Sequence, residues 1–295
     1  MTPPPATAAA ADWTLRWERL AETSPQLRTL AAQPERWRRF YDRVAPVWDA
    51  VTAGVDGLGS RIAAFAGDRK LLRPGDEVIE VGCGAGSLAL AMANHRALVT
   101  AVDSSPRMID VLQGRPQQLS PQAVTAAVAD WRRLRSVRAF DVAVACCVPD
   151  ALSPDGLRAL DGLSHRECLV VLGHGNDAFP LRRRIWRRAM SEPLPPPGRL
   201  LPLVVGALEA MDRRPYRQPL SWPTRLDVAA ADARAFFEAY FDTLGCTGDR
   251  LRKAIDDVIE PLVVDGRVRC AGRIDLVAVW WRTGASHAAG EAVAG

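Results

Sequence analysis

The sequence lacks a long apolar run and is poor in lysine, histidine and tyrosine. No apolar run approaches the roughly 20 residues that span a bilayer, so we expect no transmembrane helix. The N-terminal stretch MTPPPATAAAADW has neither the basic nor the apolar segment of a secretory signal. We therefore predict a cytoplasmic protein, with flexible tails over residues 1–12 and 284–295.

Cysteine is present, but not in a pattern that indicates disulfides or zinc. The cysteines are Cys83, Cys146, Cys147, Cys168, Cys246 and Cys270. None forms a CxxC pair, and several lie inside apolar, strand-like runs. Free thiols in a reducing cytoplasm explain them better than disulfides, so no metal site is predicted.

The net charge of the chain is also small. The formal net charge of +4 is too little by itself to indicate a nucleic-acid partner. The hydrophobic fraction of 48% and the charged fraction of 24% are those of an ordinary globular protein. A chain of 295 residues can bury a full core, as one large domain or as a domain with an appendage.

The pattern of apolar residues along the sequence changes near residue 70. Residues 13–70 have a helical pattern and predict an N-terminal helical cap, whereas residues 71–180 alternate short apolar runs with helix-length segments. The apolar runs are 77–82, 98–103, 124–130, 139–147 and 168–173. Runs that are apolar on both faces are typical of a parallel sheet covered by helices on both sides.

Residues 181–230 interrupt the alternation with an arginine-rich helical piece and the proline-rich stretch SEPLPPPGRLLP, which predicts a cap or insertion. Residues 231–283 resume it and predict the C-terminal part of the core, ending in the strand IDLVAVWWR. The penultimate strand is ambiguous, because GRVRC (266–270) and RQPLSW (217–222) are both candidates.

The stretch VIEVGCGAGSLALAMA runs from a strand pattern through three glycines into a helical pattern. Gly82 lies where the chain must turn, and Gly84 and Gly86 leave room for backbone amides to approach a ligand at a helix N-terminus. A dinucleotide fingerprint, GxGxxG, needs its third glycine at position 87, which is serine here. The spacing is therefore GxGxG.

Two further positions supply acidic groups beside this turn. Asp103 closes the second strand, at the ligand crevice of an open α/β sheet, where its carboxylate can accept hydrogen bonds from both ribose hydroxyls. It would repel a 2′-phosphate, which argues against NADP. After the third strand, Asp130 can accept from an adenine amine while Trp131 packs on the ring. These contacts fit NAD and S-adenosylmethionine (SAM) alike.

Four motifs in order resemble those of class I SAM-dependent methyltransferases. They are EVGCGAG (80–86), VDSSPRMI (102–109), ADW (129–131) and FDVAVACC (140–147). The resemblance covers roughly residues 40–175. It implies an α/β fold with a Rossmann-like, doubly wound and mostly parallel seven-stranded sheet, and SAM as the cofactor.

The resemblance also implies which residues hold SAM. Glu80 and the glycine backbone would bind its methionine end, Asp103 its ribose and Asp130 its adenine amine. FYDRVAPVWD (40–49) resembles the N-terminal segment of quinone-biosynthesis methyltransferases, in which an aromatic residue closes over SAM. The implied cofactor-binding residues are Tyr41, Glu80, Gly82, Cys83, Gly84, Gly86, Asp103, Ser104, Met108, Asp130, Trp131 and Cys146.

Several of these residues have a purely structural alternative. Asp103 or Ser104 could cap the next helix, Met108 could be packing, and Trp131 could be ordinary core. Cys146 follows the fourth strand, which in this family opens onto the methyl-transfer site, and is interpreted as a thiol lining the pocket.

Two residues are candidates for catalysis. Asp150 either faces the methyl acceptor or caps a helix. His174 follows the fifth strand at the mouth of the crevice, where it could take a proton from the acceptor. A loop histidine without a role is the alternative.

The prediction is a SAM-dependent methyltransferase that transfers a methyl group to a small molecule by in-line displacement. The tryptophans and prolines of the two caps favour a hydrophobic or aromatic acceptor. An RNA or protein methyltransferase using the arginine-rich cap, an NAD-dependent oxidoreductase and a non-catalytic SAM-binding protein remain alternatives. The sequence does not predict the oligomeric state.

Overall fold

The computed structural model describes residues 6–52, 57–115, 123–134, 138–174, 181–194 and 199–283. The helices in these ranges are α1 (Ala6–Thr23), α2 (Pro25–Ala32), α3 (Pro34–Thr52), α4 (Leu58–Asp68), α5 (Ser87–Asn94), α6 (Pro106–Gln113), α7 (Pro154–Leu163), α8 (Arg182–Ala189), α9 (Leu200–Ala210), α10 (Ala230–Thr243) and α11 (Asp249–Ile259). The strands are β1 (Glu77–Val81), β2 (Leu98–Asp103), β3 (Val124–Val128), β4 (Phe140–Cys146), β5 (Ser164–Gly173), β6 (Tyr216–Ala229), β7 (Val263–Val264) and β8 (Arg267–Arg282). None of the helices in the described ranges is long and apolar enough to cross a membrane.

One sheet organises the molecule. Its strand order is β3-β2-β1-β4-β5-β8-β6, and the short β7 pairs with β8. Strands β1 to β5 are mutually parallel, and β8 is antiparallel to both of its neighbours in this order. This is the mostly parallel, Rossmann-like architecture predicted from the alternation of apolar runs and helices.

The apolar runs form strands because helices cover both faces of the sheet. Val78 and Val81 are completely buried, but they belong to different apolar clusters. Val78 belongs to a cluster with residues of α4 and α5, whereas Val81 belongs to one with residues of α7 and α9. Burial on both faces is why these strands have no polar alternation.

Both candidates for the penultimate strand lie in strands, but GRVRC leads into the final strand, β8, and is not a separate strand before it. RQPLSW lies in β6 and GRVRC lies at the start of β8, and the two strands pair with each other from Tyr216 to Ala229. Residues 216–229 therefore belong to the sheet and not to the predicted cap. Pro219 and Pro223 made this strand hard to predict, because proline has no N–H to donate to a neighbouring strand. They are tolerated here because β6 pairs on only one side.

The β6–β8 pair continues beyond the parallel strands. β5 pairs with β8 only as far as Gly173 opposite Leu276, whereas β6 pairs with β8 on to Arg267. Helices α10 and α11 share a buried cluster with α3, α8 and this extension. The predicted core segment 231–283 therefore contributes α10 and α11 to a layer above the carboxyl ends of the strands. We call this layer, formed by α3, α8, α10, α11 and the β6–β8 extension, the roof.

The N-terminal region is helical from an earlier point than predicted. Helix α1 begins at Ala6, so it includes residues 6–12 of the stretch predicted as a tail. Trp13 of α1 fills the space in front of Gly206 of α9, where a Cβ atom would lie 2.2 Å from the indole ring. The predicted tail 284–295 lies outside the described residues.

Candidate functional site

The glycine turn between β1 and α5 requires glycine for two separate reasons. Gly82 and Gly86 have φ angles of +66° and +82°, a region that other residues rarely adopt. In addition, a Cβ at Gly82 would lie 2.5 Å from Val148 Cγ2, and one at Gly86 would lie 2.2 Å from Leu112 Cδ1. The turn therefore brings backbone without side chains close to Val148, just after β4, and to Leu112 of α6.

Asp103 lies directly beside this turn. Its Oδ2 atom accepts a hydrogen bond from the backbone N–H of Gly84 at 2.8 Å, and its Oδ1 atom accepts one from Ser105 N–H at 2.8 Å. β1 and β2 are neighbouring parallel strands, so their carboxyl ends meet at one edge of the sheet. Burial raises the pKa of Asp103, although its backbone hydrogen bonds act in the opposite direction.

Glu80 contributes a second carboxylate at the end of β1. Glu80 is only 3% exposed to solvent. Its Oε2 atom is buried without a hydrogen-bond partner among the described residues. Burial, and secondarily the charge of Asp103, raises the pKa of Glu80 to about 8. A buried oxygen without a donor fits a ligand that brings a positively charged N–H group.

Helix α3 lies against the glycine turn. Tyr41 is half-buried, and its pKa is raised by burial and then by the charges of Asp103 and Asp150. The rings of Tyr41 and Trp48 have centroids 5.8 Å apart. Trp48 Nε1 lies 3.7 Å from the position that a Cβ of Gly84 would occupy. Two aromatic side chains of α3 thus lie near the turn and Asp103.

The sequence analysis missed Trp48. It is seven residues after Tyr41, a spacing that returns to the same face of a helix. That signal was available in the segment FYDRVAPVWD, but it required the assumption that α3 is continuous through Pro46.

A hydrogen bond fastens α3 to the start of α6. Ser105 Oγ donates to Asp42 Oδ1 at 2.7 Å and accepts from Met108 N–H at 3.1 Å, so it also caps α6. Asp42 was likewise missed, because nothing local in the sequence distinguishes it from a solvent-exposed acid. Ser104 is exposed, and its backbone N–H is among the groups that act to lower the pKa of Asp103 against the effect of burial.

Asp130 is engaged by its neighbours. Its Oδ1 atom accepts from Arg132 N–H at 3.2 Å and from Arg132 Nε at 3.1 Å, and Arg133 Nε lies 3.5 Å from Oδ2. Burial would raise its pKa, but Arg132 and Arg133 lower it overall. Arg132 also lies 3.9 Å from Asp150. The role of Asp130 toward adenine stays a prediction.

Two other implied cofactor contacts are buried. Met108 is 0% exposed and belongs to the cluster beneath α3, and Trp131 is 6% exposed and belongs to a core cluster beneath the sheet. Burial raises the pKa of Asp150, and Trp131 is among the groups that act to lower it. The burial of Met108 and Trp131 agrees with the packing alternative, and the adenine role of both residues stays a prediction.

The remaining candidates lie at the end of β4, in the segments that follow β4 and β5, or within the glycine turn. Cys146 is half-buried, and burial raises the pKa of Cys83 and of Asp150. His174 is exposed, and its backbone N–H donates to Asp275 O at 2.9 Å. Asp150 and His174 thus follow neighbouring strands at the same sheet edge. Over the ranges that the structure covers, no group of three metal-binding side chains occurs.

Comparisons with known proteins agree with this geometry. Residues 78–165 match a family described as Methyltransferase domain. The chain is 30% identical over 107 residues to the 2-phytyl-1,4-naphtoquinone methyltransferase of Synechococcus elongatus, a match that covers 34% of this chain and 43% of that protein. It is 41% identical over 51 residues to the ubiquinone biosynthesis O-methyltransferase of Coxiella burnetii, which covers 17% and 22% respectively.

Less than half of the length of each of these relatives is matched. The YcgJ protein of Bacillus subtilis has a similar fold, with a TM-score of 0.50 at 13% identity over 76% of this chain and 98% of its own. That likeness concerns the fold alone. The matched region contains the glycine turn, Asp103 and Asp130. Residues 78–165 are therefore similar to a methyltransferase domain, in the region where the sequence motifs resemble those of class I SAM-dependent methyltransferases.

Proposed function

We propose that this chain binds SAM and transfers its methyl group to a small-molecule acceptor. The observation that carries the proposal is the joint position of two carboxylates at the ends of β1 and β2. Asp103 is hydrogen bonded to the glycine turn at Gly84, and Glu80 presents a buried oxygen without a donor. Side chains of this kind at a sheet edge match a ligand with a cationic amine and a ribose.

Each part of the site has a task in this proposal. Glu80 and the backbone from Gly82 to Gly86 hold the methionine end of SAM, and Asp103 holds the ribose. Tyr41 and Trp48 of α3 cover the turn and exclude water. When bound, SAM supplies a methyl group that its sulfonium has already activated.

Catalysis by these residues rests mainly on positioning. A dry pocket that aligns donor and acceptor removes most of the entropic barrier to an in-line displacement. His174 is proposed as the base that takes a proton from the acceptor, and its exposed position after β5 suits contact with an incoming molecule. Asp150, after β4, is proposed to face the same space.

The proposed acceptor is apolar or aromatic. The roof formed by α3, α8, α10, α11 and the β6–β8 extension buries a large apolar cluster that includes Trp37, Phe40 and Phe236. The names of the two quinone methyltransferases support the same class of acceptor. We also propose a cytoplasmic location, supported by six cysteines that are all unpaired.

Calorimetry with S-adenosylhomocysteine tests the cofactor, with NAD as the control ligand. We expect heat with the first compound and none with the second, and a ligand at 100 times its Kd should stabilise the fold by about 2.7 kcal/mol. Transfer of a labelled methyl group from SAM to metabolite extracts, but not to total RNA or protein, then tests the acceptor class. Transfer to RNA or protein only would overturn the small-molecule proposal.

A further inference from the structure

A small cavity between α3 and α10 is lined mainly by positively charged side chains. Its volume is about 300 Å³, and no candidate site residue is among the described residues that line it. Arg36, Arg39 and Arg43 of α3 line it together with Phe40, whereas α10 contributes one charged residue, Asp242. Steps of three and four residues return to the same face of a helix, so the three arginines share one side of α3. This volume is at the small end of ligand pockets, which are about 300–1,000 Å³.

The cavity has a well-packed floor. Phe40 is 5% exposed, and its ring centroid lies 5.7 Å from that of Phe236 and 6.0 Å from that of Tyr240, both in α10. Buried aromatic pairs at such distances hold the two helices together. The backbone that carries the arginines is therefore already in place, and a ligand would have to order only their side chains.

A structural role accounts for two of the three arginines. Arg36 Nη2 donates to the backbone O of Asp242 at 3.0 Å, and Arg43 Nη1 lies 3.9 Å from the Asp242 carboxylate. Cations near the last turn of a helix are favourable, so both side chains stabilise the end of α10. Arg39 has no such role, because it is exposed and makes no hydrogen bond or ion pair within the described ranges.

We propose that this cavity is a binding site for the phosphate group of a small, soluble phosphate monoester. Three guanidinium groups and one carboxylate line it, which leaves an excess of two positive charges. A phosphate monoester carries a charge of about −1.5 to −2 at pH 7, and the fork of N–H donors on a guanidinium matches phosphate oxygens. The proposal does not depend on the methyltransferase function, since no cofactor contact is involved.

The charge and the shape of the cavity favour this ligand over other anions. A carboxylate or a phosphodiester carries only one negative charge, so part of the positive charge would stay unpaired. The backbone of RNA is a row of phosphodiesters, which proteins bind with basic side chains spread along a face or groove. Here the three arginines surround one small cavity, which is suited to a single phosphate group.

The arginines keep donors for such a ligand. A guanidinium has five N–H donors, and Arg36 directs donors only to Asp242 and, at 3.2 Å, to Gln33 Oε1 within the described ranges. Arg39 is the side chain that the proposal assigns to the ligand alone. A phosphate bound by Arg36, Arg39 and Arg43 would therefore add to the contact between α3 and the end of α10.

Calorimetry of the full chain with phenyl phosphate tests the proposal, with phenyl sulfate as a control ligand of similar shape and half the charge. At low salt and pH 8 we expect phenyl phosphate to bind about tenfold more tightly, because its second negative charge also interacts with the arginines. Equal affinities, or no heat with phenyl phosphate, would overturn the proposal. It would also be overturned if the chain bound an RNA oligonucleotide, or vesicles that contain phosphatidic acid, but not phenyl phosphate.

Two variants and a control assign the measured heat to this cavity. Arg39→Gln should weaken the binding of phenyl phosphate about tenfold and leave the thermal midpoint of the protein unchanged, because Arg39 is exposed. Asp242→Asn should strengthen binding, because it removes the opposing charge while its backbone O still accepts from Arg36. Arg19→Gln, at an exposed position of α1, is the matched control and should bind like the wild type. Unchanged binding in Arg39→Gln, or weaker binding in Asp242→Asn, contradicts the proposal.

Discussion

The carboxylate of Asp103 and the backbone N–H of Gly84 are joined by a hydrogen bond of 2.8 Å, which ties the end of β2 to the turn that follows β1. The bond uses one carboxylate oxygen, and the backbone of Ser105 donates to the other. Each oxygen has two lone pairs, so the same carboxylate can still accept from a ligand. Asp103 therefore orders the glycine turn and remains able to bind a ribose.

Asp103→Ala tests that second role. We expect the affinity for S-adenosylhomocysteine to fall by about 1–3 kcal/mol, because charge-assisted hydrogen bonds to the ligand are lost. Calorimetry measures the affinity, and circular dichroism confirms that the variant is folded. Asp110→Ala, on the exposed side of α6, is the control and should bind normally. Unchanged affinity in Asp103→Ala removes the ribose assignment.

Glu80 predicts a dependence of stability on pH. Its pKa is raised from 4.5 to about 8 in the folded chain, so the protonated form is the one that folding favours. The associated stability is complete below the unfolded pKa and is lost as the pH rises through about 8. Glu80→Gln keeps a neutral side chain at every pH and should escape this loss.

Urea denaturation at pH 5, 7 and 9 measures the effect. We expect the stability of Glu80→Gln relative to the wild type to increase by a few kcal/mol between pH 5 and pH 9. Glu77→Gln, at the exposed start of the same strand, is the control and should follow the wild type. Parallel stability curves for the wild type and Glu80→Gln would show that Glu80 is ionised throughout this range.

Gly86 and Gly245 allow backbone strain to be compared with and without a steric clash of an added Cβ atom. Both have a positive φ, +82° and +83°. A Cβ would lie 2.2 Å from Leu112 Cδ1 at Gly86, but would meet nothing within 4 Å at Gly245. We expect Gly245→Ala to cost about 1 kcal/mol from backbone strain alone, and Gly86→Ala to cost at least about 1 kcal/mol more.

Denaturant unfolding of the two variants gives both values. A double variant with Leu112→Ala should recover part of the extra loss, because the smaller side chain makes room for the new methyl group. Equal losses of stability in Gly86→Ala and Gly245→Ala would mean that the Leu112 side chain moves away from the new methyl group at no measurable cost.

The bond between Asp42 and Ser105 predicts energetic coupling between α3 and α6. A double-mutant cycle with Asp42→Ala and Ser105→Ala should yield a coupling energy of about 1 kcal/mol, the net worth of a hydrogen bond of this kind. Asp49→Ala combined with Ser105→Ala is the control, because Asp49 pairs with Arg115 at the other end of α6. If the losses of stability in the first cycle are additive, the hydrogen bond between Asp42 and Ser105 does not couple the two helices.

Much of the core was predictable because it depends on local patterns. Apolar runs on both faces predict buried parallel strands, and the carboxyl ends of such strands meet at one edge. From these two rules alone, Asp103 belongs beside the glycine turn, and Asp150 and His174 belong at the same edge. The structure has this arrangement for all three residues.

The layer in which a helix packs was not predictable in the same way. The periodicity of α10 and α11 shows that one face is buried, but not against which partner. The structure places these helices against α3 and α8 in the roof. Similarly, Pro219 and Pro223 obscure a strand whose position at the sheet edge makes them harmless.

By itself, the sequence determined the parallel sheet, the glycine turn and the acidic groups at its edge, because strand periodicity and turn chemistry act over a few residues. Only the tertiary structure decided that Trp48 lies against Gly84 and that Asp42 accepts a hydrogen bond from Ser105. Those contacts depend on how separate elements pack against each other, and such packing leaves no repeating pattern in the chain.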